Sequence, residues 1–166
     1  MLLNKEKKRR VSLFTVFLTF FVDNLGWAIV FPIFAPLFID QQNLLFSADV
    51  PLSTRTAFLG IFLAAYPLAQ FFGAPILGDI ADRYGRKKAL AVTVFLTAAG
   101  YIASAWGIYY SQLVVLFISR LFTGIFAGNL SICLAAIVDY SKTDRQKTKY
   151  FNYFSVLAGF SFIVGS

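Results

Sequence analysis

Two ionisable side chains stand alone inside long apolar runs of this 166-residue chain: Asp23 in the run 11–39 and Arg120 in the run 112–138. A charge at the centre of a bilayer costs about 2.5–3.5 kcal/mol on insertion scales, so each needs a polar cavity or a partner. Counted at ~1.5 Å per residue from the ends of their runs, the two reach similar depths, which makes pairing possible. A carboxylate placed there can carry a proton or bind a cation. A substrate cation competing with Arg120 would then couple to protonation of Asp23. The plainer reading of Asp23 is a structural ion pair, or a cap at a kink before Gly26. Three amides and a phenol, Asn24, Gln70, Asn129 and Tyr66, are candidates for lining a cavity, and each could equally hydrogen-bond another helix.

A second constellation is the stretch GDIADRYGRKKAL, 78–90, where Asp79, Asp82, Arg83, Arg86, Lys87 and Lys88 crowd between two apolar runs. Gly78 and Gly85 permit close backbone approach there. Asp82 is placed to accept hydrogen bonds from free amides at a helix start. The cations suit lipid headgroups, but acids contribute little to membrane orientation, so the two aspartates need a further reason. Gly124 and Gly128 follow Arg120 at i+4 and i+8, a stripe read as close helix packing.

The elements that must position these groups are membrane helices. The chain is 58% hydrophobic and 14% charged, against roughly a quarter charged in soluble domains. Apolar runs fall at about 11–39, 57–77, 89–109, 112–138 and 150–166. About 20 residues cross a ~30 Å hydrocarbon core, so the first four are long enough to span, while the fifth reaches the chain's end. Pro32 and Pro36 are expected to kink the first. The fold class is all-α, a polytopic membrane helix bundle over 11–166 after a basic segment, 1–10. Basic residues crowd 1–10, 78–88 and 139–149 and are nearly absent from the connections between, where Arg55 is the one cation. The positive-inside bias puts the N-terminus in the cytoplasm.

Several classes are excluded. The net charge of +7 sits in segments between apolar runs, which favours lipid headgroups over nucleic acid. One cysteine, Cys133, allows no internal disulfide, and the absence of histidine argues against zinc. There is no nucleophile constellation and no phosphate-binding glycine loop, so an enzyme is not expected, nor any cofactor beyond a proton gradient. The run from Val11 to Ile39 is longer than a signal-peptide core and reads as an uncleaved span. Trp27 suits an aromatic contact and Trp106 an interfacial anchor.

Gly78, Ile80, Ala81, Asp82, Arg83, Gly85, Arg86 and Lys87 fit G-x-(L/I)-(A/S)-D-R-x-G-R-(K/R), the signature after the second span of the major facilitator superfamily, which the chain resembles. The resemblance implies a conformational latch formed by Gly78, Asp82, Arg83, Gly85 and Arg86. In it Asp82 and Arg86 would engage a helix end in the second half of the molecule. YPLAQFFGAPILGD (66–79) and FVDNLGWAIVFPIFAP (21–36) are similar to spans of the proton-coupled drug exporters typified by tetracycline antiporters, with the proline spacing one residue wider. IVDYSKTDRQKTKYF (137–151) is similar to the segment after the fourth span, with Asp139 and Arg145 flanking a polar turn as a cytoplasmic loop pair. Arg120 matches the fourth-span arginine linked in that branch to proton coupling. Gly159 and Gly165 could open the fifth-span antiporter motif, with Ser166 where its proline is expected.

The resemblance implies proton-coupled export of small amphipathic compounds by alternating access, from a multi-pass protein of the bacterial inner membrane. It covers essentially the whole chain but about two-fifths of a typical member. The chain therefore reads as the leading part of a longer protein whose partner is its own C-terminal half. Two alternatives remain open at this level. One is a metabolite, siderophore or lipid carrier of the same fold, including an importer. The other is a half-transporter that does not transport but acts through a partner.

Overall fold

The computed structural model describes residues 2–40, 45–47 and 49–166, with side chains described from Leu13 onward. The side chains of the basic segment 1–10 thus lie outside the described residues. Among the described residues seven helices follow one another: α1 (Leu2–Ala28), α2 (Val30–Ile39), α3 (Leu52–Tyr84), α4 (Arg86–Tyr109), α5 (Leu113–Phe126), α6 (Asn129–Tyr140) and α7 (Asp144–Gly165). No strand occurs among the described residues. Among the described residues four stretches are long and apolar enough to cross a membrane: Leu13–Ile39, Leu52–Tyr84, Arg86–Tyr109 and Leu113–Tyr140. They correspond to the first four runs read from the sequence. The fold is an all-α membrane helix bundle, with large side chains such as Phe14, Phe71, Phe95 and Ile163 turned outward.

Two spans are broken, each for a local reason. α1 ends at Ala28, four residues before Pro32, whose ring clashes with the carbonyl at i−4 and supplies no amide to it. The expected kink therefore falls ahead of the prolines. The fourth span, anticipated as continuous, parts between α5 and α6 at Ala127 and Gly128. Glycine weakens the helix there, and Gln70 Nε2 on α3 donates to the released Ala127 carbonyl at 2.8 Å.

The charged stretch 78–88 is not a loop. α3 runs through Tyr84 and α4 begins at Arg86, leaving Gly85 alone between them with φ +93°. An L side chain rarely adopts that angle, so the position favours glycine. α7 starts at Asp144, six residues before the apolar run at 150. Thr143 caps it, its hydroxyl accepting from Gln146 N at 3.3 Å, and Asp144 stands in the first turn where the helix dipole favours an acid.

Glycines set the closest packing. A Cβ on Gly124 (α5) would lie 2.5 Å from the Tyr66 carbonyl oxygen, and one on Gly73 (α3) would collide with the Ile125 backbone. A Cβ on Gly128 would meet Leu77 and Ala74. The packing role read for Gly124 and Gly128 is therefore what they perform, against α3. The buried apolar side chains form two clusters. One, near the Gly85 end, includes Val16, Phe20, Leu77, Ile132 and Phe154. The other, toward the opposite end, includes Val30, Phe34, Phe38, Phe62 and Leu116. Asp23, Tyr66, Gln70, Tyr101 and Arg120 occupy a polar belt between them.

Candidate functional site

Asp23 is carried at mid-length by the first span and half-buried. Its Oδ1 accepts a hydrogen bond from Asn129 Nδ2 at 3.3 Å. The Asn129 carbonyl oxygen accepts in turn from the Thr93 hydroxyl. Asn129 is fully buried, and the break before it makes it the first residue of α6, so its amide is fixed between α1 and α4. A half-buried carboxylate and a buried amide thereby satisfy each other within a network that spans three helices.

Arg120, 2% exposed, lies on α5. Its Nη2 donates to the Ser104 hydroxyl at 2.8 Å, and that oxygen is 2.7 Å from Ser119 Oγ. The guanidinium carbon stands 5.1 Å from the Phe34 ring centroid and 5.4 Å from that of Tyr101. Two aromatic faces, with their negative quadrupoles, thus take the place of a counter-ion.

Asp23 and Arg120 share no ion pair, and the pairing allowed by their computed depths is corrected. Asp23 meets Asn129, more than two turns beyond Arg120 on the same span, while Arg120 faces Phe34, three turns beyond Asp23. Tyr66 and Tyr101 lie within electrostatic reach of both charges.

A groove of about 460 Å³ opens beside Asp23, bounded by α1, α3, α6 and α7. Asp23, Asn24, Trp27, Tyr66 and Gln70 line it, with Phe20, Phe151 and Phe154 supplying apolar wall. Three of the four polar candidates read from the sequence are therefore on its surface, although Asn24 Nδ2 also donates to Phe20 O at 2.8 Å and Gln70 to Ala127 O. Asn129 lies behind Asp23, holding it. Trp27 makes the expected aromatic contacts, 4.9 Å from Phe31 and 6.1 Å from Phe162.

The latch candidates gather at the Gly85 end. Arg86 Nη2 is 3.5 Å from Asp82 Oδ1, and its Nε is 3.1 Å from Asp139 Oδ2, so one cation ties α3, α4 and α6. Arg83 pairs with Asp79 at 2.9 Å on the exposed face of α3. Asp82 does not cap a helix start, because α3 continues past it and the start of α4 at Gly85 carries no side-chain cap. Asp139 and Arg145 do not form a pair: α6 extends to Tyr140 and turns Asp139 toward Arg86, while Arg145 is exposed on α7. Gly78 has open space where a Cβ would stand, so no close approach depends on it. Asp82, Arg86, Lys87, Lys88 and Asp139 rim a second cavity of about 810 Å³ floored by Val16, Leu90 and Ile132.

Residues 16–166 match a sequence model described as Major Facilitator Superfamily. The chain belongs to the major facilitator superfamily. Among superfamily members it is 28% identical, over 154 residues, to the class H tetracycline resistance protein of Pasteurella multocida, an alignment covering 93% of this chain and 36% of that protein. It is 27% identical over 154 residues to the quinolone resistance protein NorA of Staphylococcus aureus, with the same coverages. To the class B tetracycline resistance protein of Escherichia coli it is 26% identical over 144 residues, covering 87% of this chain and 33% of that one. The chain spans about a third of the length of these relatives. No solved structure matches it.

Some residues of this superfamily chain escaped sequence reasoning. Arg55, counted there only as a lone loop cation, is 1% exposed. It donates to Val50 O at 3.1 Å, Asp40 O at 3.3 Å and Ser47 O at 2.9 Å. Thr93, Tyr101, Ser104 and Ser119 form the polar lining around Asp23 and Arg120. For Thr93 and Ser104 a signal was present: Thr93, Thr97, Gly100, Ser104 and Gly107 alternate at spacings of four and three, a small and polar stripe that marks a helix-packing face.

Proposed function

We propose that this chain forms the leading helix bundle of a secondary active transporter that exports small amphipathic compounds in exchange for protons. The observation that carries this reading is Asp23: a membrane-embedded carboxylate, held by Asn129, facing a groove walled by aromatic side chains. A protonated aspartic acid is neutral and tolerates that wall, whereas the carboxylate calls for a cation. One residue can therefore alternate between a proton and a positively charged, greasy substrate. The tetracycline and quinolone resistance of the relatives agrees with such cargo.

Alternating access requires a groove open to one side at a time. The groove beside Asp23 is bounded by this chain on α1, α3, α6 and α7, and the remainder of the transporter, a C-terminal half, would close it. Arg86 with Asp82 and Asp139 forms the part of the latch that this chain contributes. The basic segments support a cytoplasmic N-terminus and a bacterial inner membrane.

The test is transport of ethidium, a fluorescent lipophilic cation, by the full transporter in inverted membrane vesicles. Acidifying the lumen should drive ethidium inward in wild type, and Asp23→Asn should abolish that accumulation while the protein still inserts. Accumulation by Asp23→Asn equal to wild type would refute the assignment of proton coupling to this carboxylate.

A further inference from the structure

Thr93 on α4 has one hydroxyl proton and three acceptors for it. Its Oγ1 lies 3.0 Å from the Ala89 carbonyl oxygen, 3.0 Å from that of Leu90, and in hydrogen-bond contact with Asn129 Oδ1. The two carbonyls belong to the preceding turn of the helix, to which a threonine hydroxyl commonly bonds back. A hydroxyl rotates to suit its neighbours, so this proton can pass from one acceptor to another without any heavy atom moving. Asn129 stands between the hydroxyl and Asp23. Its Nδ2 donates to Asp23 Oδ1 at 3.3 Å, while its carbonyl oxygen faces Thr93. Asn129 and Thr93 are both fully buried, so neither contact opens to bulk water.

The residue types matter here. A side chain that only donates, such as lysine or arginine, would suit the carboxylate but offer nothing to accept the proton of the acid form. An amide carries a donor at one end and an acceptor at the other, nearly equal in shape. Turned over about its Cβ–Cγ bond, Asn129 would present its carbonyl oxygen to Asp23 and its N–H to Thr93. The Thr93 oxygen can accept that N–H while its own proton goes to Ala89 O or Leu90 O, both already at 3.0 Å. No helix moves, and Asp23, Asn129 and Thr93 keep partners in either orientation, as buried polar groups require.

We infer that the Asn129 amide is a switch that follows the proton on Asp23: it donates to the carboxylate, and it turns over to accept from the protonated acid. The first of these orientations is the one in the structure. The proton enters from the groove that Asp23 lines and adds to the carboxylate oxygen facing Asn129, while Asn129 and Thr93 keep their own protons. Asn129 and Thr93 are positioning residues, and they let an acid inside the bundle change charge without stranding a buried group. The titratable groups within electrostatic reach of Asp23 are Tyr66 from α3, Tyr101 from α4 and Cys133 from α6. Arg120 of α5 faces the two tyrosines, and α2 carries no titratable side chain. From α7 the groove receives Phe151, Phe154, Ser155 and Ala158, none of them charged. The inference rests on the reading of Asp23 as the proton-carrying group.

Solid-state NMR of the full transporter in lipid vesicles, with 15N at asparagine Nδ2 and 13C at aspartate Cγ, reads the switch directly. The Asn129–Asp23 dipolar coupling, assigned by its loss in Asp23→Asn, should be present while the Asp23 13C shift is that of a carboxylate. It should weaken at the pH where that shift becomes that of the acid, because turning the amide moves its nitrogen away from Asp23. Thr93→Ser keeps the hydroxyl and should behave as wild type. A coupling unchanged after Asp23 takes its proton overturns the inference and leaves proton carriage by Asp23 intact. An Asp23 that stays charged down to the acid limit of folding overturns both.

Transport gives a second readout. Thr93→Val removes the hydroxyl that serves both orientations, so ΔpH-driven ethidium accumulation should fall by roughly tenfold, the scale of one unpaired buried group. Ethidium exchange without a gradient should persist, and Thr93→Ser should accumulate as wild type does. Wild-type accumulation by Thr93→Val, or an equal loss in Thr93→Ser, would overturn the part given to the hydroxyl. A coupling that weakens with protonation in a protein that fails to carry ethidium would leave the switch standing and remove the exporter reading.

Discussion

Arg86 on α4 and Asp139 on α6 are joined by an ion pair of 3.1 Å, and Arg86 also leans on Asp82 at 3.5 Å. The Asp139 side chain is 57% exposed and that of Arg86 27% exposed. Solvent therefore screens the pair, and exposed pairs contribute about 1 kcal/mol or less. Asp139→Asn should lower the melting temperature only slightly. Arg86→Gln should lower it more, because it leaves two neighbouring carboxylates without their shared cation. Differential scanning fluorimetry on the purified protein orders the two; the reverse order would mean that Asp82 contributes nothing.

Gly73 and Gly124 are predicted to be the least replaceable positions of the α3–α5 contact. Either Cβ meets backbone rather than a flexible side chain, so the helices must part. Gly124→Val should destabilise by about 1–3 kcal/mol, as overpacking does. Gly159→Val should be neutral, since nothing lies within 4 Å of a Cβ there. Melting of both variants in one detergent makes the comparison.

Arg55 is predicted to hold the connection between α2 and α3 through its three carbonyl contacts. Arg55→Ala should cost on the order of 2–3 kcal/mol, given the strength of charge-assisted hydrogen bonds. Arg55→Lys should recover little of it, because a single ammonium lacks the planar fork that reaches three separate acceptors. Proteolytic nicking between Asp40 and Leu52, followed by mass spectrometry, should rise in both variants.

Asn129 and Thr93 should behave as one unit. Asn129→Ala removes the donor to Asp23 and the acceptor for the Thr93 hydroxyl together; Thr93 can still donate to Ala89 O or Leu90 O, so the cost of about 1–3 kcal/mol falls on the Asp23 side. Thr93→Val in that background should add little. A double-mutant cycle should return a coupling energy within the 0.5–3 kcal/mol typical of contacting residues; additive effects would mean that the two side chains act separately.

The long spans and the Gly85 turn were legible in the sequence because they depend on run length and on glycine, both local properties. The break at Ile29 was legible from Pro32, though one turn off, since a proline disrupts the turn before itself. The break at Ala127 was not, because the carbonyl it frees is taken by Gln70 from another helix. Asp23 and Arg120 stood out as charges inside apolar runs, and the structure has Arg120 buried and Asp23 half-buried. Their partners were misassigned because depth counted from apolar run ends ignores where each helix begins. Tyr101 looked like one of many aromatic residues; only its seat against Gly26 sets it apart.

Backbone-to-backbone contact through Gly73 and Gly124 leaves α3 and α5 almost no freedom to accept inherited change. The opposite wall of the Asp23 groove is different: Trp27, Ser155 and Ala158 reach it from α1 and α7, and α7 glycine 159 has open space around it. Substitutions that reshape what the groove admits can accumulate on that wall without disturbing the frame. That wall can therefore change residue by residue while the α3–α5 frame stays nearly fixed.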